Sequence, residues 1–238
     1  MSDPWENYFA NFSPTDGTVD FYSRIRSFVR PEHEVLDLGA GRAAWFENDQ
    51  NAYRREIRLL KGRCAKVVAA DVDSAVLENR ATDEQVVLDR SAGLPFGDES
   101  FDLVVADYVL EHIEDPAVFS AEVFRVLKAG GVFAARTPHK YCYVAIIART
   151  IRNAKHATVL SWVQPGRKEM DVFPTRYRLN RLQDVSRNFS AFENKSFIFR
   201  SDPAYFFGNM WMFKAQDLFH RLMPAFFSGN LFIFLVKK

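Results

Sequence analysis

What this chain has little of narrows it more than what it has in plenty. Only two of its 238 residues are cysteine, Cys64 and Cys142. They lie far apart, in no CxxC or Cys/His spacing, so neither a metal site nor a disulfide framework is supported, and a reducing, cytoplasmic setting is expected. Neither sign of charge dominates: 31 Lys and Arg face 30 Asp and Glu. That balance leaves no global field to recruit nucleic acid, and no nucleic-acid partner is expected. Long apolar runs are also missing. The longest, 144–148 and 231–236, fall far short of the ~20 residues that cross a bilayer. The acidic, aromatic start Ser2-Asp3-Pro4-Trp5-Glu6-Asn7 is unlike a secretory leader. No transmembrane segment is therefore expected, while peripheral contact with a membrane stays open. The one charge imbalance is local: residues 149–187 hold nine Lys/Arg against three Asp/Glu. That region reads either as a solvated face or as a place for an anionic substrate or headgroup.

What is present alternates. With 48% hydrophobic residues, the chain can bury one substantial core, which suits a single domain over 1–238. The spacing predicts a helix over 16–30, a strand over 34–38, a helix over 43–61, a strand over 66–70 and a short helix over 74–79. Strands over 85–88 and 101–106 follow, then an amphipathic helix over 116–127 stopped by Gly130-Gly131, and a strand over 132–136. The rhythm breaks after Thr137-Pro138. Residues 139–178 read as an inserted cap; the closing part, 179–238, reads as helices over 179–188 and 212–222 and strands over 195–199 and 230–236. The last two strands are expected to pair antiparallel at a sheet edge. The class is α/β: a mostly parallel sheet with helices on both faces, its ligand-binding half within 31–138.

The most informative stretch is Val35-Leu36-Asp37-Leu38-Gly39-Ala40-Gly41-Arg42-Ala43, an apolar strand running into a Gly-x-Gly turn. Glycines there let backbone approach a ligand, and a helix start beyond them offers unpaired N–H groups. Two glycines also occur in such turns for geometry alone. The strand over 66–70 ends in Asp71, where a doubly wound fold holds ribose hydroxyls. The interval from Gly41 to Asp71 is long for a dinucleotide fingerprint, its third glycine position is Ala44, and no Tyr-x-x-x-Lys pair is present, which disfavours an NAD-dependent oxidoreductase.

Further strings accumulate: Leu94-Pro95-Phe96-x-Asp98-x-Ser100-Phe101-Asp102-Leu103-Val104, then Asp107-Tyr108-Val109-Leu110-Glu111-His112, then Asp115-Pro116, then Glu122-x-x-Arg125-Val126-Leu127-Lys128. Together they resemble the class I S-adenosylmethionine-dependent methyltransferases, and more narrowly the small-molecule branch called methyltransferase type 11. The resemblance covers about residues 34–138 and implies a Rossmann-like, seven-stranded sheet with an antiparallel edge strand. It implies S-adenosyl-L-methionine as cofactor and a small-molecule, glycan or lipid-linked methyl acceptor. Asp37, Gly39, Ala40 and Gly41 then match the turn that holds the amino-acid part of the cofactor, Asp71 the acid on both ribose hydroxyls, and Val72 the adenine face. Asp89 or Arg90 falls near the adenine, and Asp107 and Tyr108 face cofactor and acceptor. One departure is Ala43, where the family commonly has a third glycine.

Methyl transfer from a sulfonium is an in-line displacement with an activated leaving group, so alignment and exclusion of water matter more than a catalytic triad. If the acceptor needs a base, His139 and His112 are the candidates. His139 is favoured by its place after the fifth strand, with Tyr141 to orient. His112 reads equally as a helix-start packing residue. Tyr141, Arg176 and Tyr177, together with Tyr143, Trp162, Phe173 and Arg178, mix rings with guanidinium groups and are the candidate acceptor contacts. Two alternatives stay open: the segment around 173–178 anchors the cap, or the chain is a non-catalytic binding or scaffold protein that kept the fold.

Overall fold

A computed structural model of the chain describes residues 8–143, 145–146, 174–203 and 209–238. Five strands, β1 (Glu34–Leu38), β2 (Lys66–Asp71), β3 (Glu84–Val87), β4 (Phe101–Asp107) and β5 (Leu127–Pro138), pair in parallel in the order β3-β2-β1-β4-β5. Beyond β5 lies β8 (Gly229–Lys237), antiparallel to it, and β8 in turn carries β6 (Phe192–Asn194) and β7 (Phe197–Arg200).

Among the described residues the sheet thus has eight strands where seven were expected, and the reason is local. Phe192 pairs with Lys237 and Phe197 with Phe232, so β6 and β7 share one register along β8. Between them the Asn194 side chain takes the Ser196 N–H (2.9 Å), and the Ser196 hydroxyl accepts from Phe234 N–H (3.3 Å). Lys195 N–H still donates to Phe234 O (2.9 Å), but the return bond from Phe234 goes to a side chain, and one edge strand reads as two. The expected antiparallel pairing of the last two strands at one side of the sheet is found in β7 with β8, and β8 lies between β5 and the outer strands β6 and β7.

Period-2 alternation builds the two layers. Val35, Val67, Leu103, Val105, Ala134 and Phe232 face Phe21, Tyr22, Ile25 and Ile57 of α1 (Gly17–Phe28) and α3 (Ala52–Arg58). Their neighbours Leu36, Val68, Val104, Phe133 and Ile233 face Val123, Val126, Val185 and Phe189 of α4 (Pro116–Val126) and α5 (Leu182–Asn188). Helix starts follow capping chemistry: Asp16 accepts from Thr18 and Val19 N–H, and Asp115 from Ala117 and Val118 N–H with Pro116 in the first turn.

Three expected elements differ. The helix over 43–61 is two, α2 (Trp45–Asn48) and α3, because Asp49 accepts the Asn51 N–H and Asn51 caps the second one through Arg54 N–H. The expected short helix over 74–79 is a 3-10 turn, Ser74–Glu78, started by Asp73. The glycine stop after α4 is not used: Leu127 already pairs with Phe101, and the register shifts before Val132 meets Leu103, so residues 128–131 interrupt the start of β5. The closing part adds α6 (Met210–Leu222) and α7 (Ala225–Ser228). Most of the expected cap, with Trp162 and Phe173 and most of the basic stretch 149–187, lies outside the described residues.

Phe133 is fully buried between Phe119 and Phe189, stacked on the latter at 5.5 Å. Phe133→Ala is expected to destabilise the fold by about 3–5 kcal/mol, measured by urea denaturation with the midpoint rather than the slope changing.

Candidate active site

The carboxyl ends of β1, β2, β4 and β5 converge on one cleft edge, and the residues there are the polar ones. Gly39 donates its N–H to Ala70 O (2.7 Å) and has φ +73°; a Cβ built on it would stand 2.3 Å from Val109. Only glycine fits both the conformation and the space. Gly41, at φ +50°, donates to Asp71 Oδ2 (2.9 Å), while Asp71 Oδ1 accepts from Asp73 N–H (2.9 Å). Asp71 therefore already organises both loops between which it lies. From the far side the buried Asn79 donates its amide to Gly41 O (3.0 Å) and accepts from Ala81 N–H (2.9 Å). Sequence reasoning missed Asn79, for no periodicity or spacing marks it. Val72 follows Asp71, half-buried.

Ala43 is buried at φ +52°, the left-handed conformation where glycine has no steric penalty. The turn keeps its shape and the alanine bears the strain.

Asp107, at the end of β4, is the centre of a buried charge network. Arg136 of β5 donates to both its oxygens (Nε to Oδ1 and Nη2 to Oδ2, each 2.7 Å), Tyr22 OH donates at 3.2 Å, and Arg58 Nη2 lies at 3.6 Å. Burial alone would raise its pKa; the Arg136 and Arg58 charges and these hydrogen bonds hold it below the ordinary carboxylate value. Asp107 is placed to lock β4 to β5, with both oxygens engaged. Its neighbour Tyr108 is an aromatic residue at φ +60°, its ring over Arg136 (4.9 Å) and its OH accepting from Asn230 (3.0 Å). Bulky residues in that region are rare and concentrate at binding sites.

Asp37 is the opposite case. Burial first, then the Asp107 and Asp71 charges, push its pKa up to about 7, with Arg58 opposing. A carboxylate so destabilised is ready for a cation. Beside it Arg58 of α3 lies over the rings of Trp45 (4.4 Å) and Tyr22 (5.3 Å), with its Nε buried and unbonded. The sequence offered no sign of Arg58, one arginine among many on a helix.

The candidate bases are held in place. His139 is buried, accepts Tyr141 N–H at Nδ1 (3.1 Å) and contacts the Phe226 ring and backbone. Burial pushes its pKa down. His112 Nδ1 contacts Pro174 O (3.1 Å). Arg176 pairs with Glu114 (3.1 Å), and Arg176 and Tyr177 donate their N–H groups to Glu111 O (2.6 and 3.1 Å). Tyr177 is buried at φ +52°, Tyr141 exposed. Asp89 and Arg90 are both exposed, Asp89 engaged with Ser91 N–H (2.8 Å) and hydroxyl (2.7 Å). The strings Leu94-Pro95-Phe96 and Glu122-x-x-Arg125 form a clasp: Glu122 accepts Leu94 N–H (2.7 Å), and Arg125 donates to Leu94 O (2.9 Å) and Phe96 O (2.7 Å). No group of acidic, histidine and cysteine side chains among the described residues could hold a metal ion.

Residues 36–135 match the family model described as a methyltransferase domain. A probable S-adenosylmethionine-dependent methyltransferase of Mycolicibacterium smegmatis is 40% identical over 81 residues, 33% of this chain and 32% of that protein. The ubiquinone/menaquinone biosynthesis C-methyltransferase UbiE of Stenotrophomonas maltophilia is 33% identical over 112 residues, 43% of this chain and 41% of that protein. The matching part thus spans less than half the length of either relative. In fold, the chain resembles the crystal structure of a Methanosarcina mazei SAM-dependent methyltransferase (TM-score 0.53, 16% identity, 90% of this chain and 96% of that one).

Two outcomes test the site. Asp37→Asn is expected to stabilise the unliganded protein by about 1 kcal/mol at pH 8. Asp37 binds a proton more tightly folded than unfolded, so its contribution to stability falls as pH rises from about 4 to 7, and the variant loses that slope. Thermal melts between pH 5 and 8 read it. Ala43→Gly is expected to raise stability by about 1 kcal/mol by relieving the left-handed alanine, measured in the same melts.

Proposed function

We propose that this chain, whose residues 36–135 match a methyltransferase-domain model, transfers a methyl group from S-adenosyl-L-methionine to a small-molecule, glycan or lipid-linked acceptor. The observation that carries the reading is the opposed pair at the glycine turn: Asp37, a carboxylate short of a cation, and Arg58, a guanidinium with an unbonded buried nitrogen. An amino acid tail has one ammonium and one carboxylate, and the pair matches both. Bound there, the cofactor supplies a methyl group already activated on a sulfonium.

The chain's own residues do the rest. Asp37 takes the ammonium and Arg58 the carboxylate, each charge compensated in a water-poor crevice. Asp71 turns its remaining lone pairs to the ribose hydroxyls without releasing Gly41, and Val72 packs on the base, with Asp89 or Arg90 at its edge. Gly39, Ala40 and Gly41 keep the floor low enough for the tail to lie on backbone. Tyr108, held off its relaxed conformation, stands between this crevice and the acceptor side with its hydroxyl fixed by Asn230. His139 and His112 wall the acceptor side with Tyr141, Arg176 and Tyr177. Since the Nδ1 of His139 is taken by Tyr141 N–H, its part is to orient the acceptor, which suits an acceptor that needs no strong base.

Calorimetric titration decides the matter. S-adenosylhomocysteine is expected to bind the wild type, and Arg58→Met to weaken it about tenfold or more, the loss of one charge-assisted pair. The same variant should bind 5′-methylthioadenosine, which lacks the amino acid tail, like the wild type. Absence of binding to the wild type at millimolar ligand sinks the reading.

A further inference from the structure

The helix α6 carries two faces of different character. Phe213 and His220 are buried against the body, with His220 Nδ1 on Ser201 O (3.2 Å). Trp211, Ala215, Leu218 and Leu222, recurring at spacings of four, three and four, form a stripe along the outward face. Trp211 is 83% exposed, Leu218 59% and Leu222 76%. Met212 and Phe219 widen the stripe on one flank, and Met223 and Phe226 extend it beyond the helix end. On the other flank stand two cations. Lys214 lies near the Trp211 ring (5.8 Å), and Arg221 is largely exposed and paired at 2.8 Å with Asp217, which lies farther round toward the body. The helix end is itself fixed, Arg200 donating to Met223 O (3.0 Å) and Arg221 O (3.4 Å).

We infer that this face of α6 docks on an anionic lipid bilayer. An exposed tryptophan and leucines on one stripe with a lysine and an arginine along one shoulder is the pattern of a helix lying in a membrane surface, rings and alkyl groups among acyl chains and cations at the headgroups. An isolated apolar side chain on a surface needs no explanation; a contiguous stripe of this length does. The cationic shoulder selects the occupant: Arg221 is balanced by Asp217, which leaves Lys214 as its net positive charge, and the stripe alone would suit any apolar partner while that charge adds attraction only to an anionic one. The position fits as well. Phe226, at the end of the apolar run, touches the His139 ring (5.8 Å) at the carboxyl end of β5. A bilayer under α6 therefore lies beside the acceptor side of the cleft. That last step rests on the methyltransferase reading and narrows the acceptor to a lipid-linked or membrane-dissolved molecule; the docking surface itself stands without it.

Flotation with vesicles of phosphatidylcholine alone and of phosphatidylcholine with about 30% phosphatidylglycerol tests the inference, with partitioning to the anionic vesicles expected to be about tenfold stronger or more. Leu218→Glu/Leu222→Glu is expected to abolish it while the S-adenosylhomocysteine melting shift persists. Lys214→Glu/Arg221→Glu, which leaves the stripe intact, should erase the preference for anionic lipid. Absence of vesicle binding by the wild type, equal binding to both vesicle types, or unchanged binding of the leucine variant overturns the assignment. So does a dimer in sedimentation velocity that the leucine variant dissolves, since a second copy would then cover the stripe. A wild type that floats but ignores S-adenosylhomocysteine condemns the methyltransferase reading and leaves the surface standing.

Discussion

The ion pair between Asp107 and Arg136 is the interaction on which the rest of this cleft depends. It joins the ends of β4 and β5, draws in Tyr22 and Thr18 from α1 and Arg58 from α3, and is almost wholly removed from water. A buried pair of this sort adds little net stability over an apolar substitute, but removing one partner alone costs about 3–5 kcal/mol because the other charge is stranded. Its value here is positional. Arg136 also lies against the Tyr108 ring, so the strained aromatic residue after β4 is seated by the same charge that neutralises Asp107.

That network explains why Asp37 and Asp107, both at strand ends and both carboxylates, have opposite properties. Asp107 has Arg136 and is fixed as an anion; Asp37 feels the Asp107 charge with only Arg58 to oppose it, and its proton is held up to about pH 7. One acid is spent on architecture and the other is left in deficit. Like charges crowded together in a buried place push one carboxyl toward its neutral form, and such perturbed groups gather at functional sites.

Much of this was legible beforehand. The five parallel strands, α1 and α4 are found close to where period-2 and period-3.6 patterns placed them, because each buries a face that its own sequence already segregates. The glycine turn and Asp71 announced themselves through residue type and distance along the chain. By contrast, Glu122 and Arg125, conspicuous as a motif, turn out to clasp the Leu94-Pro95-Phe96 loop, and the helix over 43–61 broke at Asp49 and Asn51, whose side chains offered the backbone a better partner than another turn.

What the sequence determined by itself was the set of elements, their order and the glycine geometry, since these follow from local preference and from which faces are apolar. Only the tertiary structure decided which charges meet. Arg58 and Arg136 look alike in a string of letters; Arg136 grips both oxygens of Asp107, while Arg58 lies 3.6 Å from the same carboxylate with its Nε buried and unbonded. Electrostatic roles depend on distances of a few ångströms between residues far apart in the chain, and no local pattern carries that information.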